Sequence, residues 1–251
     1  REEGPINPIG DKEIIDTELQ LKDLESVEKQ IQKKEKQAKS DPKVRDEVAV
    51  LQRCKAHLEQ GKSIRSLDLS KEEKAVIADL FLLTEKPVLY VANVDEPSMH
   101  TGNKFSEALK KVADDEGAEM IVMNNSIEAQ IAEMEDAEDK AMFMEEYQMK
   151  EPALNRLIRS TYKLLGLKTY FTAGVQEVRA WTFHNGWKAP QCAGVIHSDF
   201  EKGFIKAEVI SYEDFMQYKS EAACREAGKL RIEGKEYIVQ DGDIMHFRFN
   251  V

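Results

Sequence analysis

Two short polar segments, each following an apolar run, are the places where this sequence could bind a ligand. Asn93 and Glu96 come directly after the apolar run 88–92, and Ser126 follows the apolar run 120–123. Amide, carboxylate and hydroxyl groups can all form hydrogen bonds with a ligand. We therefore expect the functional site of the chain in these segments.

The apolar runs before these segments have the composition of buried strands. The run 88–92 is too short to span a membrane and too uniformly apolar for a half-exposed strand, so it predicts a strand buried on both faces. A Ser-x-x-Glu capping box at 70–73 predicts a short helix before it, and 105–112 predicts a helix after it. The order strand, helix, strand is typical of a parallel α/β sheet, in which ligands bind beyond the carboxyl ends of the strands.

The first 60 residues predict two long helices. Between positions 14 and 39 the chain has no proline or glycine and apolar residues recur every three or four positions, which predicts an amphipathic helix with Asp11 as its N-cap. Ser-Asp-Pro at 40–42 interrupts it, and 44–58 predicts a second helix. Because the apolar rows are too few for a globular core, we expect an antiparallel coiled-coil arm over 17–65 that projects from the body.

The tip of this arm is more basic than the rest of the chain. Between positions 29 and 45, seven basic residues stand against two acidic ones, a local excess of five on a chain whose net charge is −11. Counterion release would favour contact with a polyanion such as RNA there. Exposed helices are also commonly rich in lysine, and the sequence leaves both explanations open. The candidate ribosome- or RNA-binding residues are Lys29, Lys33, Lys34, Lys36, Lys39, Lys43 and Arg45.

Composition limits the classes of function. Charged residues make up 33% of the chain and its net charge is −11, which argues against a protein coated all over with nucleic acid. Three distant cysteines without a Cys-x-x-Cys pair argue against a disulfide framework or a zinc site and fit a reducing compartment. No segment has the roughly 20 apolar residues needed to cross a bilayer. We therefore expect a cytoplasmic protein with no membrane partner.

No set of side chains predicts a catalytic or metal site. The five histidines lack metal-ligand spacing and a nucleophile partner. The acidic run 128–150 is mixed with methionines and has no recurring histidine, so we interpret it as a solvated helix face. Within it, Glu128 should begin a helix, where a carboxylate suits the helix dipole.

The pattern changes after Gly166, which ends a helix that begins near Pro152. Alternating apolar residues then predict strands at 169–172, 178–182, 204–210 and from 237 to the end. In the last strand, the residues expected to face a core are Ile244, Phe247 and Phe249. We predict a second domain over 167–251, with a small mixed sheet and one or two helices.

The segment after the first strand resembles a nucleotide-binding pattern. Guanine-specific P-loop proteins carry Asn-Lys-x-Asp there, and the Asp accepts hydrogen bonds from the ring N–H and exocyclic amine of guanine. Here Val94 stands at the Lys place and the longer Glu96 at the Asp place. Adenine lacks that pair of donors because its N1 is an acceptor, so the change weakens the case for guanine. The segment resembles instead the Asn-x-x-Glu of the Obg-like ATPases, the YchF subfamily of the Obg family of P-loop GTPases.

The resemblance to the YchF family extends over almost the whole chain. Its longest parts, at 167–182, 195–209 and 237–251, are similar to the family's TGS domain, a ubiquitin-like β-grasp module with an α+β fold. The resemblance implies part of an α/β P-loop nucleotidase domain over 1–16 and 66–166, an inserted helical arm over 17–65, and a TGS domain over 167–251. In that nucleotidase fold, a loop after the second strand contacts the base, and Ser126 occupies this place. The resemblance thus implies a base-binding site formed by Asn93, Val94, Glu96 and Ser126.

The resemblance also implies a function. Its members are ribosome-associated ATPases that bind ATP with Mg²⁺, some of them also GTP, and the expected partner is the ribosome, its large subunit in particular, or RNA. The alternative is a nucleotide-independent ribosome- or RNA-binding module made of the arm tip and the TGS sheet. In the first case Asn93, Val94 and Glu96 frame the base, and we expect Val94 to offer its backbone groups to adenine. Glu96→Asp with Val94→Lys should then shift preference towards GTP.

The sequence departs from the family pattern in one respect. It contains no Gly-x-x-x-x-Gly-Lys-Ser/Thr and no following Asp-x-x-Gly, the motifs that hold phosphates and magnesium. In the family these motifs precede the arm, and Arg1 falls just before it. We therefore expect the chain to be the C-terminal part of a longer protein, with the magnesium ligands upstream of Arg1, and expect negligible hydrolysis from these residues alone.

Overall fold

The structure, a computed structural model, describes residues 5–174 and 177–250. The chain forms two compact units that divide between Leu157 and Ile158. The first unit contains a two-stranded sheet and the second a five-stranded sheet. Within the described ranges, no helix has the length and apolar composition needed to cross a lipid bilayer.

Two long helices, α1 (Pro8–Ala38) and α2 (Pro42–Glu59), open the first unit. Helix α1 begins three residues before Asp11, which corrects the predicted N-cap. Asn7 caps it instead, since its Oδ1 accepts the N–H of Gly10 at 3.1 Å, and a proline suits the position that follows. The turn into α2 is as expected, with the carboxylate of Asp41 capping the new helix.

The base of this hairpin has a hydrophobic core, which the sequence did not predict. Buried residues of α1 and α2, among them Val27 and Leu51, cluster with residues from the segment that follows α2, among them Ile64 and Ile77. That segment contains α3 (Lys71–Ile77), which begins with the predicted capping box. Ile14 and Ile15 near the start of α1, in contrast, are exposed, at 67% and 54%.

The predicted parallel pair of strands is confirmed. Strand β1 (Leu89–Asn93) pairs in parallel with β2 (Glu119–Met123), and α4 (Lys104–Asp115) lies between them in the chain. The expected burial of both faces is wrong, because Val91 is 41% exposed. Strand β1 has β2 as its one strand partner within the described ranges. Ala92, next to Val91 in the strand, is buried in a cluster with Val94 and with Leu109 of α4.

Three helices follow β2. They are α5 (Asn125–Glu133), α6 (Ala137–Glu146) and α7 (Ala153–Leu164). The acidic run predicted as one helical stretch is thus divided between α5 and α6. Gly166, after α7, has a φ of +63°, a backbone conformation that favours glycine and ends the helix as expected.

The second unit contains a mixed five-stranded sheet and, after the end of α7, four helices within the described ranges, where the sequence predicted one or two. The strands are β3 (Leu167–Ala173), β4 (Val178–His184), β5 (Phe204–Ile210), β6 (Arg231–Glu233) and β7 (Ile244–Phe249), in the order β4-β3-β7-β5-β6. The helices are α8 (Ala189–Ile196), α9 (Ser198–Lys202), α10 (Tyr212–Tyr218) and α11 (Glu221–Glu226). Strands β3 and β7 are parallel and the other pairs are antiparallel.

Two predictions for the strands of this unit are also wrong. Residues 237–239 form no named strand, only a single bridge between Ile238 and Lys188. In β7, Met245 is 2% exposed and faces the core together with Phe247, whereas Ile244 is only partly buried. Side chains alternate strictly along a strand, so the set 244, 247 and 249 could not have shared one face.

Candidate functional site

The two polar segments meet at one edge of the first unit's sheet. Strands β1 and β2 run in parallel and end together, with Asn93 opposite Met123. The residues that follow, Val94 to Glu96 on one side and Asn124 to Ser126 on the other, are therefore neighbours. This is the edge at which ligands bind in open α/β sheets.

Asn93 is exposed and its side chain is already oriented. Its Oδ1 accepts the backbone N–H of Asn125 at 3.0 Å, a bond that identifies which end of the amide is oxygen. The Nδ2 group has no hydrogen-bond partner within the described ranges and carries two protons. Asn93 therefore presents a fixed donor to solvent, and its oxygen retains a second lone pair.

Val94, unlike Asn93, is nearly buried and its backbone groups are already hydrogen-bonded. Only 9% of it is exposed, its N–H donates to the Met123 carbonyl at 2.9 Å, and its carbonyl accepts from Asn124 Nδ2 at 2.8 Å. Its N–H is therefore not free to bind a base, which corrects the expectation that both of its backbone groups would be offered. The two bonds lock the two segments together.

Free acceptors lie next to the Asn93 amide. Asp95 and Glu96 are exposed, and their carboxylates form no hydrogen bond or ion pair with the described parts of the chain. Glu96 opens a short 3-10 turn that ends at Ser98. Ser126, in the first turn of α5, is exposed, and its hydroxyl is likewise without a described partner. The edge thus combines an amide donor, a hydroxyl and two carboxylates in one exposed corner.

The sequence did not identify the residues that fix this corner. Asn124 caps α5 by accepting the N–H of Ile127 at 2.9 Å and also holds the Val94 carbonyl. Asn125 supplies the backbone donor for Asn93. The signal that could have found them is the Asn-Asn pair directly after a strand and before a helix, since asparagine is a preferred N-cap.

A charged network holds β1 in place three residues before Asn93. Lys12 Nζ lies 2.5 Å from Asp16 and 2.6 Å from Glu116, and the Tyr90 hydroxyl donates to Glu116 at 2.7 Å. Burial lowers the pKa of Lys12, but the bonds to Asp16 and Glu116 outweigh it and the pKa is raised. Burial and the bond to Glu116 raise the pKa of Tyr90 to about 12. At neutral pH Lys12 and Tyr90 therefore keep their protons, and the network joins α1, β1 and the end of α4.

Glu128 serves a different helix from the one expected. It lies in the first turn of α5, as predicted, but is only 8% exposed. Its two carboxylate oxygens accept the backbone N–H groups of Ala153 at 2.7 Å and Leu154 at 3.0 Å, the first residues of α7. The buried carboxylate caps α7 and suits the positive end of its dipole.

The basic residues at the arm tip fall into two groups. Lys29 and Lys34 form ion pairs with glutamates of the arm at 2.6 and 2.5 Å, and Arg45 Nε donates to a backbone carbonyl at 3.4 Å. The others are exposed and have no polar partner within the described ranges: Lys33, Lys36, Lys39 and Lys43. Four of the seven cations are therefore free to contact a polyanion without breaking a bond.

The described ranges contain no group of three or more His, Cys, Asp and Glu side chains placed to hold a metal ion. Three histidines have structural partners instead. His197 Nδ1 accepts the backbone N–H of Asp199 at 3.2 Å. A ring nitrogen of His57 lies 2.8 Å from Ser66 Oγ, and one of His100 lies 2.8 Å from the Tyr147 carbonyl.

Comparison with known proteins gives consistent matches. Residues 167–250 match the family model YchF-GTPase_C, described as a protein of unknown function (DUF933). The chain is 51% identical over 249 residues to the "Ribosome-binding ATPase YchF" of Shigella flexneri, covering 99% of this chain and 68% of the relative. The protein of the same name from Bacillus subtilis (strain 168) is 51% identical over 251 residues, with the same coverage. The solved structure of the Schizosaccharomyces pombe YchF GTPase superposes with a TM-score of 0.87 at 37% identity, covering 99% of this chain and 68% of that one.

Proposed function

The chain belongs to the YchF family, and from that premise we propose that it is a ribosome-associated ATPase of the YchF type whose base-binding site is the corner at Asn93, Val94, Glu96 and Ser126. The proposed ATPase activity and ribosome binding are based on the names of the relatives. The proposed position of the base is based on the residues of this chain. Such an activity is expected in the cytoplasm, where ribosomes work.

The free donor on Asn93 is the observation that carries the base site. Adenine offers the acceptor N7 and the donor N6 amine side by side, and an asparagine amide pairs with this edge through one donor and one acceptor. Asn93 keeps both, because the Asn125 N–H uses only one lone pair of Oδ1. Glu96, free and one methylene longer than Asp, adds an acceptor for an exocyclic amine. The hydroxyl of Ser126 borders the same corner.

The proposal assigns no phosphate or magnesium contact to these residues. The tripeptide Gly61-Lys62-Ser63 has the last three letters of a phosphate-binding loop, but Ala56 stands where the motif requires its first glycine. The structure places Gly61 after the end of a helix, with a φ of +69°, and not between a strand and a helix. ATP and Mg²⁺ are therefore proposed as cofactors because of the family. The residues of the corner contact only the base of ATP.

A second function, ribosome or RNA docking independent of nucleotide, is favoured by the arm tip. Its four free lysines can neutralise RNA phosphates and release counterions without losing an intramolecular bond. Both functions can operate in one protein. The large subunit is the part of the ribosome we propose as partner.

Replacing Glu96 by Asp is expected to raise affinity for GTP relative to ATP by about tenfold, because the shorter carboxylate matches the guanine-reading pattern and a bidentate contact discriminates by about 1–3 kcal/mol. Competition of ATP and GTP against a fluorescent ATP analogue measures the ratio. Val94→Lys is left out of this variant, since Val94 is packed against Ala92 and Leu109 and a lysine there would bury a charge.

Asp95→Glu is the matched control. It makes the opposite one-methylene change at the neighbouring exposed carboxylate and should leave the ratio unchanged. An unchanged ratio in Glu96→Asp, or an equal change in both variants, would remove Glu96 from the base site.

A further inference from the structure

The second unit contains an aromatic groove that the proposed function does not use. It has a volume of about 570 Å³ and lies on the side of the sheet that α8 and α9 cover. Its main apolar lining is Trp181, Ile196, Phe200, Phe247 and Phe249. Its polar lining is Thr172, Glu177 and His246. Clefts of this size, lined mainly by apolar and aromatic residues with a few polar groups, are typical of sites for small ligands.

The rings of this groove are held in fixed orientations. Phe200 and Phe249 are stacked, with their centroids 3.7 Å apart and their planes at 24°. Trp181 Nε1 donates to Thr172 Oγ1 at 2.9 Å, so its one polar group is already satisfied. What these side chains offer a ligand is therefore aromatic surface, which costs little conformational entropy to use.

One cation lies at the edge of this aromatic surface. The guanidinium of Arg179 is 4.1 Å from the centre of the Trp181 ring, and its side chain is 55% exposed. It forms an ion pair at 3.9 Å with the more exposed Glu177, which also lines the groove. An exposed ion pair of that length is weak, so Arg179 can exchange it for a phosphate at little cost.

We propose that this groove binds an unpaired base of single-stranded RNA, with Arg179 contacting the adjoining phosphate. Stacking on aromatic side chains next to a cation is how single strands are bound without sequence readout. The proposal rests on the proposed ribosome association, which brings RNA to the protein, and it deepens that function by locating a second RNA contact.

The charge balance of the second unit predicts how this contact differs from the arm tip. Positions 167–251 carry 11 basic and 12 acidic residues, so general attraction of a polyanion does not operate there. Binding in the groove should depend on the base, and its salt dependence should be that of about one phosphate, a slope of about −0.7 in log K against log salt. The arm tip should show the opposite behaviour.

Tryptophan fluorescence tests the proposal directly, because the chain has only two tryptophans. In a Trp187→Phe variant, Trp181 is the sole emitter. Fluorescein-labelled hexaadenylate is titrated into it, with RNA anisotropy reporting binding anywhere on the protein and Trp181 emission reporting the groove. We expect emission to fall by about half at saturation, and heparin, a polyanion without bases, to leave it unchanged.

Two further variants measure the contacts. Trp181→Ala is expected to weaken RNA binding about tenfold at 300 mM salt, where the contribution of the arm tip is screened, and Arg179→Ala to weaken the Trp181 titration about fivefold. Arg225→Ala, an exposed arginine on α11 outside the groove, is the matched control and should change neither.

Each other outcome overturns the proposal in a distinguishable way. RNA that raises anisotropy without changing Trp181 emission removes the groove and leaves the proposed ribosome association intact. If no RNA binds at all, both the proposed RNA site in the groove and the proposed RNA contact of the arm tip are refuted. If a phenylalanine-containing peptide quenches Trp181 emission and RNA does not, the ligand of the groove is a protein segment. That result would refute the binding of an RNA base.

Discussion

Asp23→Ala is expected to lower the free energy of unfolding of the first unit by about 3 kcal/mol. The Asp23 carboxylate is 2% exposed and accepts the backbone N–H groups of Leu83 at 2.8 Å and Thr84 at 2.7 Å. Removing it leaves two N–H groups without their acceptor in a largely buried place. Residues 83 and 84 lie in the loop that precedes β1, so we expect the loss to affect the position of this strand as well.

Urea unfolding followed by circular dichroism measures this effect, with a shift of the midpoint by about 1.5 M at a typical urea dependence. Tryptophan fluorescence in the same samples reports only the second unit, which holds Trp181 and Trp187. Glu25→Ala, an exposed carboxylate two positions along the same helix, should leave the midpoint unchanged. An Asp23→Ala variant as stable as the parent would show that the two bonds contribute nothing.

Reversing the four free lysines of the arm tip is expected to weaken ribosome binding about 100-fold at low salt. The substitutions are Lys33→Glu, Lys36→Glu, Lys39→Glu and Lys43→Glu. Lys29, Lys34 and Arg45 are left in place because they have partners within the arm. If each free lysine meets one phosphate, the slope of log K against log salt should fall in magnitude by about 3 to 4.

Cosedimentation with ribosomes across a salt series gives both quantities. The matched control reverses four exposed lysines elsewhere and has the same net charge: Lys62→Glu, Lys71→Glu, Lys104→Glu and Lys111→Glu. It should retain most of the binding. Equal weakening in both variants would mean that total charge, and not the arm tip, determines binding.

Local signals in the sequence were enough to predict much of the fold. The Ser70 and Glu73 capping box, the interruption at Pro42 and the bounds of β5 depend on neighbouring residues, and the structure confirms them. The failures concern contacts distant in sequence. Asp23 binds residues 60 positions away, and Glu128 caps a helix 25 positions away. Neither has a local pattern that identifies its partner.

Burial was harder to predict than secondary structure. An apolar run such as 88–92 predicts a strand, but its exposure depends on what covers each face, and Val91 is exposed here. In β7, residue type favours Ile244 over Met245 for the core, whereas alternation along the strand places Met245 there with Phe247. Alternation is present in the sequence, but the contacts that decide the exposure of Val91 are not.

The candidate site was predictable in position and only partly in detail. A polar segment after a strand predicts its own place at the sheet edge, and the structure exposes Asn93 and Glu96 there. Which groups are free depends on contacts across the edge. The use of Val94 N–H by Met123 and of Asn93 Oδ1 by Asn125 follows from the register of two strands, which no single segment encodes.

The side-chain amide of Asn93 provides the most direct test of the base site. Its NH₂ group gives its own signals in a ¹⁵N-correlated NMR spectrum, and an Asn93→Asp variant identifies them by their loss. Titrating adenosine and guanosine into the labelled chain should shift these signals and the backbone amides of Glu96 and Ser126, with adenosine effective at lower concentration. Signals that stay in place at millimolar adenosine would contradict the proposed base site.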